Sequence, residues 1–232
     1  MKILAVAAHP DDFETGMGGL ATRLIKAGHT VTSVVMAAGT DIKDTITRTD
    51  ESKNAHAVLG IIPVFAPFFI RQLGVHEDSR NIFRAIIERL SPDAVFAMWG
   101  MDIHPDHRAS SILAIEPCLQ KGVNTELFAM EVCSKPGVPQ TLGFAPTHYC
   151  DITGTPADTK TKMLACHKSQ GFDLIRTAHD ELERNRGAEC GRNHAEAFVR
   201  LTRYGALHPE LAKILIPSPF LLPRMMGIDA RP

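Results

Sequence analysis

Hydrophobic and polar positions along the chain sort it into alternating strands and helices. Residues 2–8 are a continuous apolar run, the pattern of a strand buried on both faces. Residues 16–26 then put Leu20, Leu24 and Ile25 on one side, with Gly28 as a stop, which predicts a helix. A β-branched second strand is expected over 30–36 and a polar loop over 38–47. Thr49 or Asp50 opens a helix to about Leu59, and residues 61–65, bracketed by prolines, form a third strand. Ile82, Phe83, Ile86, Ile87 and Leu90 have helical spacing within 78–90. A fourth strand follows at 93–98, a helix at 107–119 and a fifth strand at 126–132. Residues 136–146, rich in Pro and Gly, read as a surface loop. The remainder predicts one strand (148–152), helices near 158–167, 172–184 and 193–202, and a Pro-rich apolar tail from His208.

Strands that alternate with helices imply βαβ units. The expectation is one α/β domain over residues 1–232, a doubly wound, mostly parallel, Rossmann-like sheet with helices on both faces. Its usual strand order, 3-2-1-4-5, sets strands one and four side by side where the winding reverses, and ligands bind outside the carboxyl ends of strands there.

Composition narrows the function classes. The charge is nearly balanced, with 25 basic and 26 acidic residues and no stripe of either sign, so neither nucleic acid nor an anionic membrane is expected as partner. No apolar stretch is long enough to span a bilayer. The short N-terminal apolar run ends in His9-Pro10-Asp11-Asp12, which suits a first strand better than a signal peptide. Five scattered cysteines without a C-x-x-C pair suit a reducing, cytoplasmic setting. The tail residues Phe220, Leu221, Leu222, Met225 and Met226 are a candidate homo-oligomer contact.

The two most unusual segments follow strands one and four: His9-Pro10-Asp11-Asp12-Phe13-Glu14 and Asp102-Ile103-His104-Pro105-Asp106-His107. A hydrolytic zinc takes about three protein ligands and keeps a position for water. His9 and Asp12, three apart on a turn stiffened by Pro10, can face one point that His107 completes. Two imidazoles and a carboxylate suit Zn2+ and also Fe2+. Asp11 is then placed to take a proton from water, His104 to donate to an oxyanion, and Asp106 to orient His104 and favour its protonated form. Taken singly, each segment reads as a loop or helix cap; two of them behind neighbouring strands do not.

These segments resemble the LmbE-like, or PIG-L, family of zinc-dependent N-deacetylases, and the resemblance covers nearly the whole chain. Arg48-x-x-Glu51 with Ala55 and Leu59-Gly60, Pro92-Asp93, Asp151-Ile152-Thr153, His167-x-Ser169-Gln170 and Ala195-Glu196-Ala197-Phe198 also fit it. The resemblance implies His9, Asp12 and His107 as metal ligands, Asp11 as general base, His104 as oxyanion stabiliser with Asp106 behind it, and Arg48 as a contact to sugar hydroxyls. It implies removal of an acetyl or other acyl group from a small N-acylated substrate, mainly of the N-acetylglucosamine type. The segment 71–78 departs from the Leu-Pro-Asp-Gly-like residues of many sugar deacetylases, which leaves a non-sugar amide as a rival substrate.

Other classes compete. A hydratase or lyase acting on a small carboxylate can use the same ligands. Gly16-x-Gly18-Gly19-x-Ala21 formally matches a dinucleotide fingerprint, but seven residues, 9–15, which carry the acidic pair, intervene after the strand. A non-catalytic sugar-binding module needs neither Asp11 nor His104.

Overall fold

The computed structural model describes residues 1–119, 125–133, 141–202 and 205–220. In chain order the elements are β1 (Lys2–Ala7), α1 (Asp12–Lys26), β2 (Thr30–Ala37), α2 (Ile42–Ala57), β3 (Val64–Phe68), α3 (Glu77–Leu90), β4 (Ala94–Met98), α4 (Pro105–Cys118) and β5 (Glu126–Met130). The second half contributes β6 (His148–Asp151), α5 (Thr155–Leu164), a 3-10 turn (Lys168–Gln170), α6 (Phe172–Cys190), β7 (Ala195–Arg200), α7 (Pro209–Ala212) and β8 (Leu215–Pro217). The strands form one sheet ordered β3-β2-β1-β4-β5-β7-β6-β8. Its first five strands are parallel and in the predicted 3-2-1-4-5 order; the last three pair antiparallel.

Period-two alternation in β1 divides the core. Ile3, Ala5 and Ala7 pack with Phe13, Met17, Leu20 and Leu24 of α1 and with Met163 of α5. Leu4 and Val6 point the other way, against Phe83, Ile86 and Ile87 of α3 and Leu113 of α4. Both faces of the sheet are therefore covered, as an all-apolar strand demands.

Four expectations change. The stretch 193–202 is a strand, not a helix: all six residues of β7 are buried, and the strand is paired on both edges between β5 and β6. Helix α2 begins inside the expected loop, because Asp41 accepts the Asp44 N–H at 2.8 Å as N-cap. Ile42 and Ile46 are exposed in that first stretch, so no apolar stripe announced it. Strand β3 lies three residues later than expected, with Val64 in register with Val34. Helices α1 and α4 start at Asp12 and Pro105, so the acidic pair and the His-Pro-Asp-His segment form their first turns. Of the apolar tail, Phe220 is exposed, whereas Leu221, Leu222, Met225 and Met226 lie outside the described residues. Among the described residues, no helix is long and apolar enough to cross a membrane.

Candidate metal centre and active site

β1 and β4 are neighbours, so the segments after them open on one crevice. The His9 N–H donates to Asp12 Oδ2 at 2.7 Å, which closes the turn around Pro10. Asp11 adopts φ 100°, ψ −27°, a left-handed conformation that costs a non-glycine residue about 1–3 kcal/mol. Its side chain makes no helix-capping hydrogen bond. Arg48 holds this strained residue from α2, donating from Nη2 to the Pro10 carbonyl at 2.8 Å and lying 3.5 Å from Asp11 Oδ2.

Three acceptor atoms converge beside it. His107 Nε2 lies 3.2 Å from His9 Nδ1 and 3.4 Å from Asp12 Oδ2, and His9 Nδ1 lies 3.5 Å from Asp12 Oδ2. A tetrahedral zinc with ~2.0–2.1 Å bonds requires donor-to-donor edges of about 3.3–3.4 Å, so this triangle fits the ion. The other ring atoms agree. His107 Nδ1 pairs with Asp102 Oδ2 and His9 Nε2 with Asp106 Oδ2, each at 2.9 Å. Protons on those outer nitrogens turn the two inner lone pairs toward each other and toward a carboxylate, an arrangement that calls for a cation between them. Burial alone would push His107 down, but Asp12, Asp102 and Asp11 together raise it to about 9. The same field favours a metal ion. His104 belongs to the same cluster: it, His9 and His107 each offer a ring nitrogen within 4.8 Å of the others, a second donor set that could hold an ion, and its ring centroid is 4.6 Å from that of His9.

Asp11 is raised to about 6, first by burial and then by Asp12, with Arg48 opposing. His104 is the N-cap of α4: its Nδ1 accepts the Asp106 N–H at 3.2 Å, which leaves Nε2 to carry the ring proton. Burial, followed by the charges of His9 and His107, lowers the His104 pKa. The Asp106 charge does favour protonated His104, as expected, but burial and the charges of His9 and His107 outweigh it; orientation of His104 by the Asp106 carboxylate is the part that changes. That carboxylate accepts instead from His9 and from the Arg71 N–H, at 2.6 Å, and it is His9 that it aligns.

His9, Asp11, Asp12, Arg48, His104 and His107 line one cavity of about 220 Å³. Among the described residues, Thr15, Ile70, Val132, Cys133, Gln170 and Ile175 also line it. Sequence reasoning missed Asp102, whose only signal was its place in Asp102-x-His104-Pro105-Asp106-His107. It also gave no place in the cavity to Gln170, which entered only through the run His167-x-Ser169-Gln170. Glu51 anchors this run, accepting from Ser169 N at 2.9 Å and Ser169 Oγ at 2.7 Å, while Gln170 lines the cavity. His167 is buried beside Glu14, 3.2 Å away.

Residues 4–117 match the PIG-L family, described as GlcNAc-PI de-N-acetylase. Residues 4–117 thus carry a PIG-L family domain. It is 27% identical over 187 residues to a diacetylchitobiose deacetylase of Thermococcus kodakarensis, covering 73% of this chain and 70% of that protein. An uncharacterized deacetylase of Escherichia coli is 46% identical over 116 residues, covering 46% of this chain and 62% of that one. The fold superposes on the conserved protein TT1542 of Thermus thermophilus with a TM-score of 0.73 and 26% identity, over 88% of this chain and 96% of that structure.

Proposed function

We propose that this protein is a zinc-dependent N-deacetylase that cleaves the acetamide of an N-acetylglucosamine-type sugar or glycoconjugate. One observation carries the reading: the triangle of His9, Asp12 and His107 acceptors lies beside Asp11 and His104 on a single cavity. Similarity to a diacetylchitobiose deacetylase supports the substrate class. When bound there, zinc would polarise the amide carbonyl and lower the pKa of a water molecule; ferrous iron suits the same donors. Asp11 takes the proton of the attacking water and delivers it to the departing nitrogen. His104 donates from Nε2 to the oxyanion of the tetrahedral adduct. The carbon–nitrogen bond breaks, giving acetate and a free amine. Asp106 and Asp102 hold the rings of His9 and His107. Arg48 keeps Asp11 in its strained pose and borders the space where sugar hydroxyls would lie.

The reading treats residues 1–232 as one catalytic domain with a small-molecule partner, working in the cytoplasm, where five unpaired cysteines are stable. Its test is a panel of N-acetylated sugars, glycoconjugates and simple amides incubated with zinc-loaded protein. Equal release of amine and acetate from an N-acetylglucosamine-type compound is expected. Hydration of an unsaturated carboxylate, with no amine from any amide, would instead favour the hydratase reading.

A further inference from the structure

The glycine-rich run at Gly16, Gly18 and Gly19 marks a break in α1, where Met17 takes φ −151°, ψ 22° inside the helix. In an unbroken helix the Gly19 N–H would donate to the Thr15 carbonyl and the Leu20 N–H to that of Gly16. Here Gly19 N donates to Glu196 Oε1 at 2.9 Å and Leu20 N to Glu196 Oε2 at 2.7 Å. The Thr15 carbonyl accepts from Lys160 Nζ at 2.6 Å, and Lys160 Nζ also donates to Glu196 Oε1 at 2.8 Å. A side-chain ion pair thus sits inside a rung of the helix ladder, a recognised cause of kinks. The glycines make room for it. A Cβ on Gly19 would lie 2.4 Å from Ile152 Cγ2 and 3.3 Å from Glu196 Oε1, and one on Gly18 would lie 3.2 Å from Lys160 Cγ. Close packing accounts for the run, with no pyrophosphate needed.

The short turn ahead of the break carries the acidic pair. Thr15 N donates to the Asp11 carbonyl at 2.9 Å, Thr15 Oγ1 to the Asp12 carbonyl at 3.1 Å, and Thr15 lines the catalytic cavity. Lys160 and Glu196 are 1% and 4% exposed. Burying such a pair is costly, and apolar residues of similar volume often stabilise a core as well or better. Stability alone gives this pair little reason to exist.

We propose that the Lys160–Glu196 ion pair is a positioning device for the metal-binding turn: by splitting α1 it aims Asp12 Oδ2 at His9 and His107. This rests on the reading of those three residues as metal ligands. The test compares zinc dissociation constants, by competition with a chromophoric chelator, alongside melting temperatures. Lys160→Met and Glu196→Gln should each weaken zinc about 10–100-fold, the usual cost of losing a group that orients a ligand. Glu183→Gln is the control. Its carboxylate pairs with Lys160 and Arg176, so it should lower the melting temperature while zinc affinity stays within about twofold. Should Lys160→Met fail to fold, Glu196→Gln alone decides. The proposal is overturned if both variants lose thermal stability, as Glu183→Gln does, yet hold zinc like the wild type. A wild-type chain that takes up no zinc would overturn the underlying metal reading instead.

Discussion

Asp11 and Asp12, adjacent carboxylates proposed as base and metal ligand, are pointed in different directions by the backbone. The left-handed Asp11 turns its side chain toward Arg48, while Asp12 folds back onto the His9 N–H. Asp11→Asn should therefore retain zinc and lose about 10²–10⁴ of its turnover, while Asp12→Asn should lose zinc first. Metal analysis and steady-state rates on the same preparations check this; equal zinc loss in both would show the pair wrongly divided. Asp102→Asn should weaken zinc about 10–100-fold, because His107 Nδ1 then loses its carboxylate partner. Residue types and spacing made legible five of the groups that the fold brings to one cavity: His9, Asp11, Asp12, His104 and His107. Partner choice was not legible. Whether the Asp106 carboxylate serves His104 or His9 depends on side-chain direction at the start of α4, which spacing does not encode.

At the scale of elements, strong periodicity was readable and local chemistry was not. α3 announced itself by its apolar stripe, whereas α2 starts on an Asp41 cap with isoleucines facing solvent. In β7 the sequence Ala195-Glu196-Ala197-Phe198 looks helical because alanine and glutamate favour helices. The strand exists because both its edges are paired, and because Glu196 is spent on α1 and Lys160. The break in α1 was equally hidden, since its cause lies 177 residues away in sequence from Gly19. Gly19→Ala should cost about 1–3 kcal/mol by overpacking against Ile152. Urea unfolding would measure it, and a neutral result would contradict the close approach.

For the molecule as a whole, the parallel half of the sheet followed from alternation of strands and helices, and the switch point located the site. The antiparallel half, β7-β6-β8, is held by long-range pairing that no local pattern shows. Its surroundings bury a second histidine group. His179 is 1% exposed, donates to the Cys133 carbonyl at 2.8 Å, and is lowered to about 3 by burial and then by the charge of Lys160. The unfolded chain, with histidine near ~6.5, takes up that proton first as pH falls. Stability from neutral His179 is complete above about pH 6.5 and drains between ~6.5 and 3, a loss of about 2 kcal/mol by pH 5. Unfolding free energies at pH 7 and pH 5 should differ less in His179→Asn than in the wild type by about that amount; identical differences would contradict it.

Under the proposed function, amide hydrolysis runs on the metal held by His9, Asp12 and His107, so activity must follow zinc titrated into chelator-stripped protein, read as amine release from an N-acetylglucosamine-type substrate. Activity should rise in proportion to added zinc and saturate at about one ion per chain, the stoichiometry of a single catalytic site with three protein ligands. His9→Ala should show no recovery over the same range. Full turnover in stripped wild-type protein, or a zinc-dependent recovery undiminished in His9→Ala, would contradict the account.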